Sequence, residues 1–401
     1  MISKQMEALG VKKSIIREIF EYAKARKAEI GEENVFDYSI GNPSIPAPEI
    51  VSETLIRLLT ESDPTVLHGY TSAQGDAGVR AAISDYIQKT YGAPADEKLI
   101  YLTAGAAAAL TISLNAILSD DTSEEVIVFA PFFPEYRVFT EKAGGRLVPV
   151  PCSEPDFQID FDAFESAITE KTKAVIVNSP NNPTGVVLSE ASILRLCDIL
   201  RSAEKRFGHE IFLVSDEPYR ELVYGNKKVP YLTSYYDDTI VCYSFSKSLS
   251  LPGERIGYIL VSPKAASAQQ VYAAVAGAGR ALGFVCAPSL FQYMIPACLG
   301  KTSDISVYES NRTLLYHALT SYGYHCANPD GAFYLFVKTL EPDAYRFCET
   351  AKKYELLLVP SDDFGFPGYV RIAYCVTPEQ IQRSLPAFRL LAEEYQNKRG
   401  Q

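Results

Sequence analysis

Residues 174–219, AVIVNSPNNPTGVVLSEASILRLCDILRSAEKRFGHEIFLVSDEPY, decide the fold. AVIVN at 174–178 and IFLVS at 211–215 are apolar on consecutive positions and rich in β-branched residues, as strands buried on both faces of a mostly parallel sheet are. Between them, LSEASILRLCDILRSAEKR at 188–206 places apolar side chains three and four residues apart, which predicts a helix with Ser189 as its N-cap. Strand, helix and strand in succession make the doubly wound α/β unit.

The same rhythm extends outward through LIYLT at 99–103, VIVFA at 126–130 and IVCYS at 240–244. The last hundred residues read differently: a long helical pattern near 305–322, a strand-like FYLFV at 333–337, a helix, then YVRIAY and a final helix from about 377. This predicts a large α/β domain over 48–290, with a boundary near Pro288, and a smaller α+β domain built from 1–47 and 291–401.

Thirty-eight basic and 49 acidic residues give a net charge of −11, so no basic footprint marks a nucleic-acid or anionic-membrane surface. The N-terminal stretch MISKQMEALGVKKSII lacks an apolar signal core and no later run reaches the length of a membrane span, so a cytoplasmic protein is expected. Eight cysteines, at 152, 197, 242, 286, 298, 326, 348 and 375, contain no C-x-x-C pair and read as reduced, mostly buried thiols. Only four histidines occur, none four residues from another, so no metal site is expected.

In open α/β sheets ligands bind beyond the carboxyl ends of the strands. After LIYLT comes AGAAAAL, a turn into a helix whose free N–H groups and dipole suit a phosphate, although such a glycine also serves plain packing. After AVIVN comes SPNNPTG, with two amides in one rigid loop. After IFLVS come Asp216, Glu217, Pro218 and Tyr219; a carboxylate there is equally read as a helix N-cap. After IVCYS comes FSKSLSLPGERIG, in which Lys247 directly follows an apolar strand, where burial lowers an amine's pKa toward nucleophilic use. Together these strand ends offer an anion cradle, an amine, a carboxylate, an amide and a phenol, the set that pyridoxal phosphate requires.

S-F-S-K-S-L-S-L-P-G-E-R-I-G at 244–257 resembles the lysine signature of class I, fold-type I pyridoxal-phosphate aminotransferases of the aspartate aminotransferase type. N-N-P-T-G at 181–185, D-E-P-Y at 216–219, G-Y-T-S-A-Q-G at 69–75 and R-I-A-Y at 371–374 follow the family's order, so the resemblance spans nearly the whole chain. It implies that Lys247 forms the Schiff base and later shuttles the substrate proton, that Asp216 pairs with the pyridinium nitrogen, and that Asn182 and Tyr219 bond the phenolate oxygen. It further assigns the phosphate to Ser244, Arg255 and the backbone at Gly105 and Ala106, with Tyr70 reaching in from the partner of a homodimer. Phe133 would stack on the ring, Arg371 would fork onto the substrate α-carboxylate, and Gly41 would lie against the substrate, beside Asn182. Where many relatives place a serine or threonine in the phosphate turn, only alanines follow Gly105. Arg280 falls where some aspartate aminotransferases send an arginine across the dimer to a side-chain carboxylate; an interface salt bridge is the competing reading.

The implied reaction is reversible transamination between an L-amino acid, aspartate-like in preference, and a 2-oxo acid such as 2-oxoglutarate, within amino acid metabolism. Alternatives on the same scaffold are a C–S β-lyase and a non-catalytic ligand-sensing domain; no basic DNA-binding segment precedes residue 40 to support the latter.

Overall fold

A computed structural model describes residues 2–11, 14–119 and 123–399; the extreme ends of the expected small domain, 1 and 400–401, lie outside this range. The described residues form thirteen strands: β1 Phe36–Asp37, β2 Ile100–Thr103, β3 Glu125–Ala130, β4 Arg146–Pro151, β5 Thr172–Asn178, β6 Phe212–Asp216, β7 Thr239–Ser244, β8 Gly257–Val261, β9 His325–Cys326, β10 Tyr334–Lys338, β11 Leu356–Leu357, β12 Val359–Pro360 and β13 Tyr369–Ala373.

Seven of them form one sheet in the order β2-β8-β7-β6-β5-β3-β4, in which only β8 runs antiparallel to its neighbours. Every residue of β2, β3, β6, β7 and β8 is buried, as consecutive apolar runs require when both faces are covered. One face packs on the helices Ala106–Ile117 and Ala268–Ala281, through Leu110, Leu114 and Val275 among others. The other packs on the helix Glu190–Phe207, through Ile193, Leu196 and Leu200. Ser189 caps that helix, its side chain accepting from the Ser192 amide at 3.0 Å.

The smaller unit centres on an antiparallel sheet in the order β12-β13-β10-β9, backed by the helices Ser306–Ser321 and Pro378–Arg399. The N-terminal region joins it: β1 pairs in parallel with β11, and Ile19 and Ala23 pack on Leu357, Val359 and Phe364. The helix Ser289–Cys298, however, buries Met294, Ile295 and Cys298 against Val51, Ile83 and the large-sheet residues Ile100 and Val241. We therefore place the domain boundary beyond Cys298 rather than at 290, because this helix shares the large domain's core. Its apolar pattern alone does not reveal which core it joins.

Candidate active site

Strand register assembles the floor of the site. Asn178 at the end of β5 pairs with Asp216 at the end of β6, which pairs with Cys242 on β7. Ser244 and Thr103, which end β7 and β2, both pair with Gly257. The carboxyl ends of four strands thus open into one cleft of about 320 Å³. Gly41, Ala106, Phe133, Asn182, Asp216, Tyr219, Ser244, Lys247, Arg255 and Arg371 all line it.

Asp216 is 4 % exposed, and Pro218–Glu221 forms a turn rather than a helix, so the carboxylate caps nothing. Its Oδ2 accepts from the Tyr136 hydroxyl at 2.5 Å, while Asn178 donates through Nδ2 to its carbonyl at 3.0 Å. Oδ1 is buried without a partner. Desolvation raises this carboxyl to about 7, with Glu217 adding to the rise and the Tyr136 hydrogen bond opposing it. A buried carboxylate oxygen lacking a donor is costly unless a ligand supplies one, and a pyridinium N–H is a cationic donor of that kind.

Lys247 sits in the short helix Phe245–Ser248 directly after β7. Its Nζ donates to the Gly41 carbonyl at 2.6 Å and lies 5.5 Å from the centre of the Phe333 ring. Burial lowers the amine to about 8, and the Arg371 and Arg255 cations push the same way. The neutral, nucleophilic form is therefore far more accessible than for a surface lysine.

An anion cradle lies at the start of the helix Ala106–Ile117. Gly105 precedes it with φ +82°, and a Cβ there would stand 2.7 Å from Arg255 Nη2. Arg255 itself has φ +54°, a left-handed conformation that costs a non-glycine residue about 1 kcal/mol and that here turns its side chain back toward the helix start. Its Nη2 donates to the Ala104 carbonyl at 3.1 Å and its Nη1 to that of Pro252 at 3.0 Å. Ser244 Oγ, 2.8 Å from Ser246 Oγ, adds a hydroxyl pair. A guanidinium, hydroxyls and free helical N–H groups suit a phosphate without a side-chain hydroxyl in the turn itself.

The upper wall comes from the small sheet. Arg371 on β13 is 2 % exposed; Nη1 donates to Asn182 Oδ1 at 3.2 Å and Nη2 to the Ser39 carbonyl at 2.5 Å, leaving Nε buried without an acceptor. The Tyr219 and Tyr334 hydroxyls lie 2.9 Å apart. Phe133 meets Tyr136 edge to face at 5.7 Å, presenting its ring to the cleft.

Tyr70 and Arg280 are not brought to this cleft within one chain. Tyr70 is 98 % exposed, and Arg280 is exposed near the end of the helix Ala268–Ala281. The loop that follows the helix of Arg280 is joined to that of Tyr70, since the Cys286 amide donates to the Ala73 carbonyl at 3.2 Å. The sequence reading did not single out Tyr136, Tyr334 or Asn178. Tyr136 stands one helical turn after Phe133, and Tyr334 lies within FYLFV, where an aromatic residue looks like core. All eight cysteines are free, five buried and three partly buried. Among the described residues no group of three or more His, Cys, Asp or Glu is placed to hold a metal ion.

Residues 33–388 match the family described as Aminotransferase class I and II. An aspartate aminotransferase of Thermotoga maritima is 30% identical, over 96% of this chain and 97% of that protein. An aromatic-amino-acid aminotransferase of Thermococcus litoralis is 29% identical over 96% and 97%. The crystal structure of an amino transferase from Eubacterium rectale superposes with a TM-score of 0.96 at 55% identity, covering 98% of this chain and 99% of that one.

Proposed function

With the chain belonging to the class I and II aminotransferases, and so a pyridoxal-phosphate-dependent transaminase, we propose that it exchanges amino groups between an aspartate-like L-amino acid and a 2-oxo acid such as 2-oxoglutarate, acting in the cytoplasm as a homodimer with shared active sites. The observation that carries the reading is the pairing, in one cleft, of a desolvated Lys247 amine with an Asp216 carboxylate whose Oδ1 has no partner. Among the described residues no helix is long and apolar enough to cross a membrane.

When bound, pyridoxal phosphate supplies an electron sink that acidifies the substrate Cα–H bond. Asp216, held by Tyr136 and Asn178, keeps the pyridine nitrogen protonated through Oδ1. Asn182 and Tyr219 donate to the phenolic oxygen. Ser244, Arg255 and the backbone at Gly105 and Ala106 hold the phosphate, and Phe133 covers one ring face. Lys247 would anchor the cofactor through its amine, and that same amine is placed as the base that moves the proton at the substrate Cα. Arg371 fixes the α-carboxylate, and Gly41 leaves room beside it.

Of the cleft's cations, Lys247, Arg255 and Arg371, each already has a ligand to hold. A side-chain carboxylate therefore needs one more, and Arg280 of the partner subunit is the candidate, the loop after its helix being bonded to that of Tyr70 through Cys286. The test is to add amino acids singly to the holoenzyme and follow the loss of its yellow absorption. Conversion by aspartate without pyruvate release supports transamination of an acidic donor; pyruvate formed over many turnovers from a cysteine conjugate, without any amino acceptor, would make the protein a lyase. Arg280→Ala should impair aspartate far more than alanine, equal losses removing that role, and sedimentation should give a dimer.

A further inference from the structure

Tyr334 belongs to none of the contiguous motifs, yet it touches the centre of the site. It lies on β10 opposite Ala373, two residues before Phe336, which pairs with Arg371. Its side chain is 3 % exposed and lines the cleft. The hydroxyl is 2.9 Å from that of Tyr219, the two rings meeting at 82°. Arg371 Cζ lies 4.7 Å from the centre of the Tyr334 ring. The hydroxyl also fills the space a Cβ at residue 41 would need, so the glycine there lets it reach Tyr219.

We infer that Tyr334 is a positioning residue whose hydroxyl donates to the Tyr219 oxygen and thereby strengthens Tyr219 as a donor to the cofactor's phenolic oxygen. The inference rests on the proposed role of Tyr219. Hydrogen bonds in series polarise one another, so a phenol that accepts one bond donates the next more strongly. A cation over an aromatic face draws on its electrons, and Arg371 over the Tyr334 ring makes that hydroxyl the better donor of the pair. Tyr219 is 5 % exposed, so bulk water does not take over the contact when it is removed. The small-sheet wall thus tunes a group on the floor of the cleft without touching the cofactor's reacting atoms.

The experiment is a pH titration of the holoenzyme's visible absorption at saturating pyridoxal phosphate, for the parent, Tyr334→Phe, Tyr219→Phe and the double variant. Tyr219→Phe should raise the pKa of the colour change by about one unit and Tyr334→Phe by about half a unit, roughly a threefold shift in the equilibrium. In the Tyr219→Phe background, Tyr334→Phe should add nothing. Tyr334→Phe keeps ring and volume, so its melting temperature should match the parent's. A parental pKa in Tyr334→Phe, alongside a raised one in Tyr219→Phe, overturns the inference and leaves the role of Tyr219 standing. A shift that persists without the Tyr219 hydroxyl overturns it as well. An unchanged pKa in Tyr219→Phe removes the reading beneath it.

Discussion

The floor and the upper wall of the cleft are built on different principles. On the floor, Asn178, Asp216 and Ser244 end adjacent strands of one buried sheet, and main-chain register alone brings them together. On the wall, Tyr334 and Arg371 share the small sheet, and Ser39 and Gly41, more than 290 residues away in the chain, meet them through the Arg371 and Tyr334 side chains. Inside the cleft, wall and floor are joined by Lys247 to Gly41, Arg371 to Asn182, and Tyr219 with Tyr334, while backbone bonds tie residues 330–332 to Gly185 and Leu222 beside it. The backbone bonds on both sides keep their geometry, whereas the side-chain bonds that line the cleft are the ones a substrate can replace.

The largest effect should come from breaking the floor. Lys247→Ala should lower the transamination rate by about 10⁴-fold or more, since it removes both the proposed covalent anchor of the cofactor and the proposed general base. The apoprotein should melt no lower than the parent, because a buried amine with a depressed pKa contributes no stability as a cation. Single-turnover absorbance and thermal melts check the two halves, and a large fall in melting temperature would mean that the lysine holds the fold rather than the chemistry.

Breaking the wall should look different. Arg371→Lys keeps the charge but loses the planar fork, a loss of about 2 kcal/mol that raises KM for the amino donor about 30-fold. Steady-state kinetics should show kcat changing much less than KM; the reverse pattern would place Arg371 in the chemical step.

The smallest effect sharpens the link between the two. A free amine must be neutral to attack an aldehyde, and Lys247 is lowered from 10.5 to about 8. The apoprotein should therefore take up pyridoxal phosphate at a rate that rises with pH and levels off above about 8. Arg371→Gln removes a cation that favours the neutral amine, so its midpoint should move upward by a few tenths of a unit, a minor change beside burial. Stopped-flow absorbance across pH measures both midpoints, and a midpoint near 10 in the parent would contradict the desolvated amine.

The contrast also explains what was legible. Lys247, Asp216, Asn182, Tyr219 and Arg255 stand in short runs attached to strands, so a strand recognised by its consecutive apolar residues carries its loop to the cleft with it. Ser189 was readable because an N-cap acts within one turn. Asp216 left a capping reading open until the turn at Pro218 and the bond from Tyr136 closed it. Tyr136 and Tyr334 escaped notice because a buried tyrosine and a core aromatic share one sequence pattern, and only the partner of the hydroxyl separates them. The helix Ser289–Cys298 was apolar enough for either domain, and packing against Val51 and Ile83 decided which.

By itself, then, the amino-acid order determined the alternation of strands and helices, the mostly parallel sheet and the reactive groups at its strand ends, because these depend on periodicity and on neighbours a few residues away. Tertiary structure alone decided that Tyr334 meets Tyr219, that Asp216 keeps one oxygen free, and that Arg371 crosses to Asn182. Those contacts join residues far apart in the chain, and burial at 4 % exposure, rather than the identity of an aspartate, is what lifts its carboxyl to about 7.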